Sequence, residues 1–311
     1  MSATVNAFSG FLGVASAMPA SVPPPAAGPG YAAPPMRGRI GTDARYGHYA
    51  VPRRYRLYLS ATCPHCLRIS VTHSLLDLGE TLPVTLLPAL PDRPDGGYAV
   101  LDGLYEASSH QHPGPSAAPV LSDTWAGRVV STYAPEIVRD LAARFGEGHR
   151  PLRPCASAAE IDALARLCDR GIEAAAVRAG GPDRDPAAAR SLLKALSHLE
   201  HLLGRGRFLV GDGLTTADVH TWVTLVALDT VHLPHLDAPL AERVADHPRL
   251  WAYARRLAAE PAFGGAPDLD GMARRYHASC ACRTQLPSRA PLIARSAYAA
   301  QAARTEAARP H

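Results

Sequence analysis

The sequence predicts two domains in series, a mixed α/β unit followed by an all-helical one. Strand-like alternation is confined to residues 55–131. Beyond Gly146 the apolar residues recur only with helical period. The 311-residue length suits about two domains, each with its own core.

The elements follow in order. Residues 1–40, with Pro23-Pro24-Pro25 and Pro34-Pro35 among many Ala and Gly, predict a disordered arm. Tyr55-Arg56-Leu57-Tyr58-Leu59-Ser60 alternates as a strand, and Cys63-Pro64 turns the chain into a helix from His65 to Leu78. Pro64 fits a first helical turn, where its missing N–H costs nothing. Val84 to Leu87 is a short strand, and residues 90–117, rich in Pro, Gly, Ser and His, predict a long loop. Two more strands at 118–121 and 128–131 and a helix from Pro135 to Phe145 complete the first domain, residues 41–147. Helices over 157–178, 186–203, 216–233, 247–257 and 268–277 build the second, residues 148–287, leaving an Ala- and Arg-rich tail at 288–311. Ser157 with Glu160, and Thr215 with Asp218, have the spacing of capping boxes.

Composition narrows the function. Hydrophobic residues make up 47% and charged residues 19%, and the mean hydropathy is −0.06, the balance of a globular chain rather than a disordered one. No apolar run approaches the ~20 residues that span a bilayer. The first basic residue is Arg37, so the N-terminus lacks the charged start of a secretory signal. A cytoplasmic protein without membrane partners is the expectation. The net charge of +4 is interspersed, with no basic run, which argues against a nucleic-acid partner. Lys194 is the only lysine among 32 basic residues, a skew expected of a GC-rich genome of the actinomycete type.

Chemistry concentrates at Cys63-Pro64-His65-Cys66, between a strand and a helix. A helix N-terminus carries partial positive charge and free N–H groups, which stabilise a thiolate at Cys63. His65 adds positive charge, and Cys66 lies one turn along, within reach of a mixed disulfide on Cys63. The competing reading is half of a zinc site, completed by Cys280 and Cys282, but C-x-C is uncommon there. The strand–CPxC–helix context favours thiol chemistry, and no metal is expected.

Together with Ala118-Pro119-Val120, this arrangement resembles a thioredoxin fold with its cis-proline. The run Phe208 to Asp218 is similar to the capped helix of the glutathione S-transferase C-terminal domain. Segments 55–68, 118–123, 228–235, 247–253 and 274–279 resemble, more narrowly, the xi class, the glutathionyl-hydroquinone reductases. The fold implied is a thioredoxin-like α/β domain followed by an all-α glutathione-transferase-like domain, in a homodimer. The resemblance makes Cys63 the catalytic cysteine, while the one-turn spacing, not the resemblance, makes Cys66 its expected resolving thiol. It makes Pro119 the cis-proline that presents the Ala118 backbone to the bound thiol. Arg68 matches the arginine ending the motif, and Tyr276 one of an aromatic pair near the acceptor pocket, expected to donate a proton or hydrogen bond to a leaving phenol.

The departures are specific. Where the family has tryptophan and alanine after Cys-Pro, this chain has His65 and Cys66. The acidic residue and serine that hold the glutamyl end of glutathione align with Tyr133 and Ala134, and a family tyrosine aligns with Val177. Losing two charge-assisted hydrogen bonds, worth roughly 1.5–3 kcal/mol each, weakens glutathione by about two orders of magnitude or more. With the GC-rich coding, this favours the sugar-linked thiol mycothiol over glutathione, with Tyr133 packing on the sugar. Thr132 or Arg68 taking the glutamyl end is the rival account.

Asp229 and His232 fall where the acceptor pocket would be, although a histidine at a helix end is equally explained by the dipole. Trp222, Trp251, Cys155 and Cys168 read as packing residues. The expected function is cysteine-dependent thiol transfer or reduction on a small quinone-like or electrophilic substrate, as in secondary metabolism. Dithiol–disulfide exchange by Cys63 and Cys66, and a non-catalytic binding or scaffold protein on a transferase fold, are the alternatives.

Overall fold

Buried Tyr55, Leu57 and Leu59 alternate with half-buried Arg56 and Tyr58, which makes Tyr55–Leu59 an inner strand, β1. The computed structural model describes residues 34–146, 148, 151–265, 267–279 and 291–293. From β1 the chain enters α1 (Pro64–Leu75), with Pro64 in its first turn. Next come β2 (Val84–Leu86), α2 (Asp102–Ser108), β3 (Val120–Asp123), β4 (Arg128–Ser131) and α3 (Ala134–Asp140), the last extended by a π-type turn, Leu141–Phe145. The sheet order is β2-β1-β3-β4, with β2 parallel to β1 and both other pairings antiparallel.

Two expectations for this half are corrected. The segment 90–117 is not all loop: it contains α2, because Leu101 and Tyr105, four apart, are buried against the core and Tyr105 Oη donates to the Ala117 carbonyl at 2.7 Å. Burial overrides a composition that otherwise favours loop. Nor does the arm extend to residue 40. The Gly38 N–H donates to Val130 O at 2.8 Å, the Thr132 N–H to Met36 O at 2.9 Å, and Ile40 is in the core. A Cβ on Gly38 would meet Val130 O at 2.4 Å, so this approach to β4 requires glycine. Arg39 fixes the segment further through the Asp140 carboxylate.

The second half contains α4 (Ala158–Arg166), a π-type segment Leu167–Glu173, α5 (Ala174–Gly180) and α6 (Pro186–Leu203). It continues with α7 (Thr216–Ala227), turns at Leu228–His232 and Leu233–His235, α8 (Ala238–Ala245), α9 (Pro248–Ala258), α10 (Pro261–Gly264) and α11 (Leu269–Ser279). Every residue of α7 but His220 is buried, so this helix is the axis of the domain. Its start closes as a capping box: the Asp218 carboxylate accepts from the Thr215 N–H at 2.8 Å and also binds the Thr215 hydroxyl. The box expected at Ser157 and Glu160 does not form. Ser157 ends a tight turn, Cys155–Ser157, and makes no cap bond, while Glu160 is exposed.

Trp222 and Trp251 are core residues whose ring N–H groups donate to Ala254 O and Val244 O. Cys168 is buried as expected, but Cys155 is exposed and packs nothing away. The helical domain also reaches past residue 287, since Ile293 is buried in its core. Leu67 and Val71 of α1 join that same core, so the helix carrying the Cys-Pro-His-Cys motif is held from both sides.

Candidate active site

Cys63 is the N-cap residue of α1, with extended backbone (φ −101°, ψ 120°), so its side chain leaves the chain where the helical N–H groups are unpaired. The Cys66 thiol donates to the Cys63 sulfur, and this bond is the largest influence lowering the Cys63 pKa well below the ordinary thiol range. Burial opposes ionisation, while the charges of His65 and Arg275 and the Cys66 N–H support it. At Cys66 burial and the neighbouring Cys63 act the other way and push the thiol well up. Cys63 is 5% exposed and Cys66 1%, so Cys63 carries the outer sulfur and Cys66 the inner one that donates to it.

Arg275 was not singled out from the sequence. It comes from α11, 212 positions away, and the contact between that helix and the motif explains how it arrives. The Asp268 N–H donates to Ala61 O at 3.3 Å, and the Asp268 carboxylate caps the Gly271 N–H at 2.8 Å. A Cβ on Gly271 would stand 2.5 Å from Thr62 Cγ2, so only glycine lets α11 lie on the loop preceding Cys63. Arg275 follows one helical turn later, and its Nη1 donates to Tyr98 Oη at 3.0 Å. Tyr98 is wholly buried in the segment read as loop, and it was equally unmarked.

Arg68 does not serve the thiolate directly. It lies five residues along α1 from Cys63, on another face, and it pairs with Glu173 of the π-type segment. Thr224 Oγ1 at 3.3 Å and Asp169 at 3.7 Å surround the same guanidinium, and Asp169 in turn holds His220 at 2.7 Å. His65, exposed on the first turn, has Nδ1 3.4 Å from Arg68 Nη1. Burial works against the Glu173 carboxylate, but Arg68 and His220 outweigh it and hold its pKa below the usual value. This arginine therefore ties the two domains together beneath the motif.

Ala118-Pro119 is a cis peptide at the entrance to β3, and Ala118 is buried. Tyr133 is the N-cap of α3, with its N–H donating to Ser131 Oγ at 3.2 Å. The Arg37 guanidinium lies 4.4 Å above the Tyr133 ring and pairs with Glu136 at 2.5 Å. The Thr132 hydroxyl accepts from the Met36 N–H at 3.0 Å. Segment 36–37 thus roofs the position aligned with the family's glutamyl-binding residues, and both side chains of the rival account, Thr132 and Arg68, already have partners.

The residues assigned to the acceptor pocket divide. His232 and Tyr276 do meet, edge to face at 5.4 Å between ring centroids, and His235 joins at 5.2 Å from Tyr276. His232 Nδ1 and His235 Nε2 are buried without hydrogen-bond partners, and burial lowers the His232 pKa to about 4. Asp229 is corrected: its two oxygens accept from the Leu292 and Ile293 N–H groups at 3.0 and 2.9 Å, so it anchors the C-terminal segment. Val177 is 49% exposed on α5, which packs against the Leu228–His232 turn. Cys280 and Cys282 lie outside the described residues.

Among the described residues, no group of three or more His, Cys, Asp or Glu could hold a metal ion, and no helix is long and apolar enough to cross a membrane. Residues 159–256 match the family model of the glutathione S-transferase C-terminal domain. The chain is 30% identical over 262 residues to the glutathionyl-hydroquinone reductase PcpF of Sphingobium chlorophenolicum, covering 78% of this chain and 82% of that protein. It is 27% identical over 270 residues to the glutathionyl-hydroquinone reductase YqjG of Escherichia coli, covering 78% and 80%. Among solved structures, a glutathione transferase from Gordonia bronchialis superposes with a TM-score of 0.70 at 27% identity, covering 84% of this chain and 89% of that one.

Proposed function

Because the chain belongs to the xi class of the glutathione transferase superfamily, the family of the glutathionyl-hydroquinone reductases, we propose that it is a cysteine-dependent thiol transferase and reductase acting on a thiol-conjugated, quinone-like aromatic. The observation carrying this reading is the Cys63 sulfur at the α1 N-terminus, supported by Cys66, His65 and Arg275. A lowered pKa raises the thiolate fraction available at neutral pH.

In the proposed reaction the Cys63 thiolate attacks the sulfur of the conjugate. In the keto tautomer of the hydroquinone the ring carbon bearing sulfur already carries its proton; the carbon–sulfur bond breaks, and its electron pair passes through the ring to the oxygen, which takes a proton from Tyr276. The products are the free hydroquinone and a mixed disulfide between Cys63 and the small thiol. Arg275 and His65 balance the charge at the attacking sulfur. The Ala118 backbone beside cis-Pro119 pairs with the peptide-like part of the thiol. Tyr276, with His232 behind it, donates to the phenol oxygen, and Val177 lines the outer edge of the same pocket. The small thiol is mycothiol in preference to glutathione, since Tyr133, Ala134 and the Arg37 roof offer no carboxylate and no serine hydroxyl to a glutamyl group. The enzyme works in the cytoplasm as a homodimer, for which sedimentation of the purified chain is the check.

Turnover of a glutathionyl-hydroquinone, followed by hydroquinone release, tests the reading. Cys63→Ser should abolish release, and Tyr276→Phe should lower kcat by about 100- to 10,000-fold, the range of a lost general acid. Full turnover by Cys63→Ser would overturn it.

A further inference from the structure

We propose that Cys66 resolves the mixed disulfide on Cys63, so that the enzyme cycles through an internal Cys63–Cys66 disulfide and is recharged by a dithiol reductant rather than by a second molecule of small thiol. The proposal rests on the reading above for its first step only.

Geometry carries it. Cys63 and Cys66 lie one helical turn apart, and their sulfurs are already within hydrogen-bonding reach, so the bridge needs only side-chain rotation. The two sulfurs are also ordered in depth. Cys63 retains the little exposure a substrate needs, while Cys66 lies behind it at 1%. A small thiol bound to Cys63 therefore projects outward, and Cys66 faces the Cys63 sulfur from the protein side, the direction from which displacement expels that thiol.

The surroundings make the alternative route poor. A second thiol molecule would need room beside the first, which still occupies the site next to cis-Pro119, while the Arg37–Tyr133 stack and the Met36–Thr132 bond cover the aligned glutamyl position. An intramolecular thiol needs no such room, and its effective concentration exceeds that of any free thiol. Cys66 is also silent until required. Burial and the neighbouring Cys63 hold it protonated. Once Cys63 is a mixed disulfide its negative charge is gone, removing an opposing influence at the moment Cys66 must ionise.

The step balances. The Cys66 sulfur bonds to the Cys63 sulfur, the bond from Cys63 to the small thiol breaks, and the Cys66 proton leaves with the departing thiol. Cys66 is oxidised as the small thiol is reduced. A protein or small-molecule dithiol then reduces the internal disulfide, becoming a disulfide itself.

The experiment uses reduced full-length protein without added thiol, mixed in parallel with a glutathionyl-hydroquinone and with glutathione disulfide. With the hydroquinone conjugate, one hydroquinone and one free glutathione per protein are expected, and peptide mapping should find Cys63 joined to Cys66. With glutathione disulfide, two glutathiones and the same internal disulfide are expected. Cys66→Ala should stop at a stable Cys63–glutathione adduct in both arms. A wild-type protein that releases hydroquinone yet retains glutathione on Cys63 overturns the proposal and leaves the quinone chemistry standing. Internal disulfide from glutathione disulfide, with no hydroquinone released in the other arm, supports the resolving thiol and overturns the quinone reading. An adduct that persists in the glutathione disulfide arm overturns the proposal whatever the other arm gives.

Discussion

Replacing Gly271 by alanine sets two physical effects against each other, and the structure decides between them. By intrinsic propensity, Gly→Ala inside a helix gains about 1 kcal/mol. In this fold, however, the new Cβ would stand 2.5 Å from Thr62 Cγ2 and 2.2 Å from Asp268 Oδ2. Carbon pairs rest at about 3.5–4.0 Å, so α11 or the loop must shift by roughly 1 Å. Thr62 cannot yield cheaply, because its hydroxyl binds Ala89 O at 2.5 Å and Ser60 Oγ at 2.9 Å. Overpacking of this kind costs about 1–3 kcal/mol, and displacing the Asp268 cap adds about 1 kcal/mol. The net expectation for Gly271→Ala is a loss of about 1–3 kcal/mol, or a melting temperature lower by about 2–5 °C for a chain of this length. Because Arg275 and Tyr276 ride on the same helix, kcat/KM should fall by about 10- to 100-fold, the effect of a misplacement near 1 Å. Thermal unfolding and hydroquinone release provide the two readouts. A variant that melts higher than wild type with unchanged kcat/KM would refute the close docking of α11 on the motif.

Three further expectations concern buried charge and the thiol grip. Glu173→Gln leaves the Arg68 guanidinium, 5% exposed, without its main partner; with Asp169 still 3.7 Å away the loss should be about 3 kcal/mol, measured by urea unfolding at neutral pH. His232 is held neutral by burial down to about pH 4, whereas the unfolded chain protonates near 6.5, so the stability it contributes is complete above pH 6.5 and falls by about 3 kcal/mol on acidification to pH 4. His232→Gln should remove that part of the acid limb, and an unchanged pH–stability curve would contradict the assignment. Calorimetry of Cys63→Ser with glutathione should give millimolar or undetectable binding, and saturable micromolar binding would overturn the mycothiol preference.

What the sequence revealed was governed by neighbours along the chain. Thr215 and Asp218 cap each other across three residues, and Cys63 to Cys66 span a single turn. What it hid depended on long-range partners. Ser157 and Glu160 have the same spacing as the true capping box, but a preceding tight turn removes the geometry. Arg68 sits close to Cys63 in sequence and is claimed by Glu173, 105 residues away. Arg275 supports Cys63 from 212 residues away, and its only local signature is its place one turn after Gly271. Likewise α2 forms in loop-like composition because Leu101 and Tyr105 find burial. Asp229 matches an acceptor-pocket position but binds backbone amides of a segment read as tail.

The pH dependence of Cys63 alkylation, followed by peptide mapping of iodoacetamide-labelled protein, bears most directly on the thiolate at the α1 N-terminus. A thiolate held at that helix end requires that Cys63 be labelled first and titrate well below the free-cysteine value of ~8.5, while Cys66 stays unlabelled. A Cys63 that is inert at neutral pH, or that titrates at or above ~8.5, would contradict it.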